Sequence, residues 1–236
     1  RQRGADLFGV ADLGPARNFI TSQGYLQAGK FPRTVSLGMS LNDTIVEQHN
    51  HADPWQRSQY IHHVYEVVTR ALDSLAYDVS RWLTGRGFKA YPIPASTPYD
   101  PEKLEGILSH KLAAHLAGLG WIGKSCLLVT ERFGPRVRFV SVMTDAPLKT
   151  GTVLDRPCGK CHVCVDACPV KAIRGVEYRA GERREVRFDA GKCRDYRREH
   201  ACGVCVSSCP MGSRQVRRKK EKKRAESKEH GARVSG

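Results

Sequence analysis

Eight of the nine cysteines lie in two runs near the C-terminus, Cys158-x2-Cys161-x2-Cys164-x3-Cys168-Pro169 and Cys193-x8-Cys202-x2-Cys205-x3-Cys209-Pro210. The first run has the spacing of two-cluster bacterial ferredoxins, in which the fourth cysteine ligates the other cluster. Three thiolates on one tight loop grip three irons of a cube. A fourth, opening a short helix beyond the loop, points to the neighbouring cube. The spacing therefore assigns Cys158, Cys161, Cys164 and Cys209 to one [4Fe–4S] cluster, and Cys193, Cys202, Cys205 and Cys168 to the other. In the second run eight residues stand where the first has two, a longer loop that still returns Cys193 to its iron.

Two other uses of cysteine fit less well. Zinc ribbons pair C-x2-C units but close on four ligands, whereas here two Cys–Pro quartets interlock. Disulfide frameworks belong to oxidising, secreted settings, and no charged-then-apolar leader is visible from Arg1 onward. Thiolates kept for iron imply a reducing cytoplasm. No stretch approaches the ~20 apolar residues of a transmembrane helix, so membrane insertion is not expected.

With 236 residues, 40% of them hydrophobic, the chain is long enough for one substantial core and a small satellite domain. Its net charge of +15 is carried mostly by residues 157–236. Residues 214–224 hold eight basic residues and one acid, followed by a stretch with almost nothing apolar. Such a run reads as a disordered basic tail, free in solvent or bound to RNA or another polyanion through counterion release.

Three parts follow: an α/β domain over residues 1–152, the cluster domain over 153–212 and the tail over 213–236. Leu7–Ala11 and Thr34–Leu41 read as strands. From Tyr60 to Leu83 apolar residues recur every three or four positions, the pattern of a long amphipathic helix that Gly85 and Gly87 end. Phe88–Ile93 reads as a strand, Leu104–Leu116 as a second helix, and Leu127–Thr130 and Val137–Met143 as strands joined by a Phe133-Gly134-Pro135 turn. This alternation predicts an α/β (α+β) sheet covered by helices.

Between the second helix and the next strand runs Gly118-Leu119-Gly120-Trp121-Ile122-Gly123-Lys124. Its glycines allow close backbone approach or positive φ. With Ser125 the segment satisfies the P-loop expression. A phosphate cradle needs strand–loop–helix, however, and the order here is helix–loop–strand.

Residues 109–129 (SHKLAAHLAGLGWIGKSCLLV) and 137–148 (VRFVSVMTDAPL), followed by the two cysteine runs, resemble the epoxyqueuosine reductase family and, more distantly, the reductive dehalogenases. The resemblance runs from residue 5 to about residue 212. It implies a nitroreductase-like sheet that binds cobalamin, with a two-[4Fe–4S] ferredoxin-like domain packed on it. It also implies electrons passing from a low-potential donor such as a ferredoxin or flavodoxin, through the clusters, to a corrinoid that reduces the substrate. In epoxyqueuosine reductases that substrate is a modified base of the tRNA anticodon, which the basic tail would help to hold. Gly118, Leu119, Gly120, Trp121, Ile122, Gly123 and Lys124 carry over as corrinoid contacts. The family's proton-donating Asp has no matching Asp; the aligned position falls near Leu104 or Glu105.

Glu105 is accordingly the first candidate proton donor. Tyr99 follows, because the dehalogenase relatives use a tyrosine, with Asp100 and His110 nearby. Lys124 is expected at a ligand phosphate or amide, or in solvent. Cys126 begins an apolar strand as a small buried hydrophobe. His62 and His63 open the long helix, His115 packs inside the second helix, and His162 tunes a cluster rather than ligating it. The chain reads as a cobalamin-dependent iron–sulfur reductase. The alternatives are an electron carrier serving a corrinoid or other redox partner, and a nucleic-acid-binding protein with structural clusters.

Overall fold

The computed structural model describes residues 4–22, 28–49, 53–96 and 100–213. Tyr99 and the tail from residue 214 lie outside them.

Strand β1 (Leu7–Asp12) is followed by α1 (Arg17–Ser22), β2 (Arg33–Ser40) and the short α2 (Asp43–Glu47). Helix α3 (Pro54–Ile61) starts where the Asp53 carboxylate accepts from the Trp55 and Gln56 amides (2.8 and 3.1 Å), with proline at the first turn. It continues through a π-helical turn, His62–Val67, into α4 (Val68–Thr84). The Tyr60–Leu83 periodicity thus marks part of a longer rod. Strand β3 (Ala90–Ile93), helix α5 (His110–Leu116), the hairpin of β4 (Trp121–Ile122) and β5 (Leu128–Val129), and β6 (Val137–Thr144) complete the first part.

The sheet order is β1-β2-β6-β3, with every pairing antiparallel. Central β6 carries Val140, Val142 and Met143 with no exposed surface. On one face Val10, Val35, Leu37, Val140 and Val142 pack against Val64, Leu72, Ala76 and Leu83 of the long rod. On the other, Ala11, Ile93 and Met143 pack against Leu112 and Ala113 of α5 and against Ile20 of α1. Truncating Leu72, at the centre of the first layer, to alanine costs about 2–5 kcal/mol.

The expected helix over 104–116 is corrected at its start. Leu104 has φ 55°, and Asp100 and Glu105 pair as an isolated bridge. Helix begins only at His110, after Ser109 turns its hydroxyl back to the Leu112 amide (3.4 Å). Gly106 and the N-capping serine break a pattern whose apolar spacing alone looked continuous.

The C-terminal part is built of short pieces: α6 (Val163–Asp166), α7 (Ala190–His200), α8 (Val204–Ser207) and a bridge between Ile173 and Phe188. Cys168 and Cys209 follow α6 and α8 rather than opening them. Each four-residue helix instead carries the third cysteine of its run.

Candidate functional site

The eight cysteines fall into two sets by mutual influence. Burial pushes the Cys164 thiol up, with Cys158 and Cys161 adding to it. Burial likewise pushes Cys209 up to about 11, with further contributions from Cys164, Cys158 and Cys161. Cys205 is pushed up to about 12, by burial first and then by Cys193, Cys202, Cys164 and Cys168. Cys193 and Cys202, raised chiefly by burial, both feel Cys168. The fold thus brings Cys209 among the cysteines of the first run and Cys168 among those of the second. Four crowded, partly desolvated thiols resist ionising together unless cations compensate them, which is what iron provides. Each thiolate of a cube binds its own iron, so the four need not converge on one point. Among the described residues no trio of His, Cys, Asp or Glu converges closely enough for a single metal ion.

Each cysteine loop is seated on the sheet domain. A Cβ on Gly203 would strike the Tyr60 ring, and the Gly203 amide donates to His49 Nε2 at 3.2 Å. His49 is itself stacked on Tyr60, with ring centroids 4.1 Å apart. Burial raises the Tyr60 pKa, so the phenol stays neutral beside Cys205. The segment after Cys209 lies against the Phe133–Gly134 turn. A Cβ on Gly134 would overlap the Met211 carbonyl and one on Gly212 the Phe133 backbone, and both glycines have positive φ (+56° and +76°). Arg136, fully buried, pairs with Glu47 (2.9 Å) and Asp43 (3.4 Å) and donates to the Ser207 carbonyl (3.4 Å), tying α2 to α8.

The glycine segment leads from α5 into the β4–β5 hairpin, in the order helix–loop–strand. A Cβ on Gly118 would clash with the Thr152 carbonyl, and one on Gly120 with that of Val129. One on Gly123 would come within 3.2 Å of Cys158 Sγ. Lys124 does not reach solvent. Its side chain is 5% exposed, and Nζ donates to the carbonyls of Gly159 (2.6 Å) and Cys161 (3.2 Å). It also lies 3.3 Å from His162 Nε2. Cys126 sits in the hairpin turn, not in a strand, with φ 59°; it is buried, and Lys111 Nζ reaches its carbonyl at 2.7 Å.

A cavity of about 510 Å³ opens between the two parts. The sheet domain lines it with Tyr65, Ile93–Ser96, Leu104–Gly106, His110–Leu112, Ile122, Cys126 and Arg138. The C-terminal part adds Tyr178, Glu182, Arg184, Arg187 and Arg197. The π turn brings Tyr65 here while Val64 and Val68 stay in the core; the buried Thr69 hydroxyl donates to the Val64 carbonyl five residues back (3.1 Å). The Arg138 and Arg197 guanidinium carbons lie 4.8 and 5.1 Å from the Tyr65 ring centroid, and Arg197 Nη2 donates to its hydroxyl at 2.6 Å. Arg184 holds the 103–105 loop through the carbonyls of Lys103 (2.7 Å) and Leu104 (2.9 Å). Glu105, with a side chain 15% exposed, lies 3.8 Å from Arg184. Arg138 Nε, Arg187 Nε and Arg187 Nη1 are buried without a hydrogen-bond acceptor, and Glu182 Oε2, 3.5 Å from Arg187, without a donor.

His110 receives the Ser141 hydroxyl proton at Nδ1 (2.8 Å) and donates from Nε2 to the Pro94 carbonyl (3.0 Å), which can only accept. Burial, and then Arg138, holds its pKa below the usual value against the opposing pull of Pro94 and Asp73. His63 accepts from the Asn42 amide (2.9 Å), and His115 donates to the Gly120 carbonyl (3.1 Å). Of Gly118–Lys124, Ile122 lines the cavity; of the candidate donors among the described residues, Glu105 and His110 do. Sequence reasoning overlooked Tyr65 and the arginines at 138, 184, 187 and 197, which are scattered along the chain and carry no local spacing signal.

A helix-covered antiparallel sheet joined to a small domain with two cysteine sets defines a dicluster iron–sulfur protein, and residues 157–213 match the 4Fe-4S dicluster domain family. The chain is 29% identical to the epoxyqueuosine reductase of Bacillus anthracis over 122 residues, 44% of this chain and 30% of that protein. With that of Atelocyanobacterium thalassa it shares 30% identity over 149 residues, 57% of this chain and 44% of the other. Its fold matches a catabolic reductive dehalogenase with a TM-score of 0.68 at 20% identity, covering 92% of this chain and 32% of the other. It also matches an epoxyqueuosine reductase solved with an epoxyqueuosine-modified tRNA stem loop, with a TM-score of 0.54 at 18% identity, covering 89% and 62%. The chain spans less than half the length of these two curated relatives. The chain is thus similar, at 29–30% identity over part of its length, to epoxyqueuosine reductases, and residues 157–213 form a 4Fe-4S dicluster domain. Among the described residues, no helix is long and apolar enough to cross a membrane.

Proposed function

We propose that the protein is a cobalamin-dependent iron–sulfur reductase of the cytoplasm. In this reading Cys158, Cys161, Cys164 and Cys209 hold one [4Fe–4S] cluster, and Cys193, Cys202, Cys205 and Cys168 hold the other. The observation that carries it is the cavity beside the second cysteine set, where guanidinium N–H groups are buried without acceptors. Such donors suit the amide and phosphate rim of a corrinoid, while Leu104, Leu108, Ile122 and Leu128 offer apolar wall to its macrocycle. Arg138 and Arg187 would hold the rim. The Gly118–Lys124 segment would contribute through Ile122, with the backbone around it carrying the wall.

A bound corrinoid supplies a cobalt centre able to take single electrons and perform the reductive bond cleavage. The chain's residues do the rest. Arg197 spans the distance from Cys193 and Cys205 to Tyr65 on the cavity wall, which makes the second set the cavity-side one. Cys205 also feels Cys164, so the two sets are neighbours and a one-electron relay is short. Glu105 is the proposed proton donor, since it lines the cavity and a general acid must lie within hydrogen-bond reach of the departing atom. Tyr99, outside the described residues, is the second candidate. Arg184 positions Glu105 through both the loop and the ion pair. Epoxyqueuosine in tRNA is the first substrate to try, with the basic tail adding salt-sensitive affinity for RNA. A ferredoxin or flavodoxin is the proposed electron source.

Anaerobic titration with hydroxocobalamin tests the reading. Arg138→Met and Arg187→Met should each weaken binding about 10- to 100-fold, the loss of one charge-assisted hydrogen bond. Unchanged affinity in both, or no binding by the intact two-cluster protein, would refute it.

A further inference from the structure

Lys124 and Glu177, an ion pair 3.7 Å apart, both contact the loop of the first cysteine set. The lysine is almost fully buried, and its ammonium group is fixed on the carbonyls of Gly159 and Cys161. Glu177, one-third exposed, accepts the Cys158 amide at Oε2 (3.2 Å) and holds Oε1 3.7 Å from Lys124 Nζ. Gly123 lets the hairpin come close enough to Cys158 to deliver the lysine. The chain thus places one full positive and one full negative charge in the immediate shell of a single cluster. Both are attached to the peptide groups that flank its ligands.

We propose that Lys124 and Glu177 are opposed charges that set the reduction potential of the cluster on Cys158, Cys161, Cys164 and Cys209. Reduction adds one electron to the cluster. A fixed positive charge favours the reduced state and a fixed negative charge disfavours it, most strongly where water is excluded. Lys124, being the more buried, carries the larger influence. The inference needs the clusters but no corrinoid, so it stands or falls separately from the reductase reading.

Redox titration followed by EPR, on anaerobically prepared two-cluster protein with dithionite as reductant, tests it. Lys124→Met should lower the midpoint of one cluster and Glu177→Gln should raise that of the same cluster by a smaller amount. Lys124→Arg should restore the wild-type value, and the other cluster should not move. A merely structural role would shift both variants in one direction or loosen the cluster in each. Shifts of the same sign, equal shifts of both clusters, or no shift in either variant would overturn the proposal. Should Lys124→Met lose its cluster, Glu177→Gln decides alone: a raised midpoint supports the pair and an unmoved one refutes it.

Discussion

Replacing Arg136 by methionine keeps most of the apolar stem and removes the charge that joins α2 to α8. The side chain is 2% exposed, and its guanidinium serves Glu47, Asp43 and the Ser207 carbonyl. Removing one partner of a buried ion pair costs about 3–5 kcal/mol, because a charge is left unpaired in a poorly hydrated site. Here the two carboxylates that lose this guanidinium are 36% and 21% exposed and recover part of their hydration. That places the ionic loss nearer ~2–3 kcal/mol. The long bond to Ser207 adds about 0.5 kcal/mol. In a chain of this size each kcal/mol moves Tm by about 2–4 °C, so the variant should melt roughly 5–14 °C lower. Ser207 lies two residues before Cys209, so iron should also be held less firmly. The assay is anaerobic circular dichroism at one scan rate on matched two-cluster samples, since cluster loss makes unfolding irreversible. A fall of less than about 2 °C would refute the reasoning. So would an equal fall for Arg136→Met in a Glu47→Gln background, where the shorter of the two ion pairs is already broken.

Gly203→Ala introduces a methyl group against Tyr60 and should cost about 1–3 kcal/mol of overpacking strain. Iron should drop from about eight toward four atoms per chain, with the set containing Cys209 retained. His110 and His63 are both held below their usual pKa, in each case chiefly by burial, so their folded forms prefer to be neutral. Below about pH 6.5 the unfolded chain takes up protons that the folded one refuses, so stability is fully present above that pH and falls as pH drops. His110→Gln should flatten the decline of Tm between pH 7 and 5.5; an unchanged slope would contradict the burial argument. Glu105→Gln should lower kcat while leaving hydroxocobalamin affinity unchanged, the signature of lost proton transfer rather than lost binding.

Features whose chemistry is local were legible in the sequence. Cysteine spacing announced two clusters because ligands of one loop must lie within a few residues of each other. Strands β1, β2 and β6 and the long helix showed through their periodicity because the sheet is covered on both faces. The start of α5 was misread because Leu104, Ile107 and Leu108 keep helical spacing although Gly106 and the Ser109 cap end it. Lys124 was misplaced for a different reason. A lysine at a loop end ordinarily faces solvent or a ligand, and only the docked cysteine loop, some 35 residues away in sequence, supplies the carbonyls that make burial tolerable. The cavity arginines share this character. Arg184, Arg187 and Arg197 come from the cluster domain, where the cysteine spacing gives no hint of them, and tertiary packing turns them toward the cavity.

The most direct test follows electrons from iron to cobalt. Protein with about eight irons as two cubes is mixed anaerobically with hydroxocobalamin, the clusters are reduced, and visible and EPR spectra are recorded. The account requires tight binding and a cob(II)alamin signal that grows as the reduced clusters are reoxidised. Intact clusters with no cobalamin bound, or bound cobalamin that cluster electrons never reach, would contradict it.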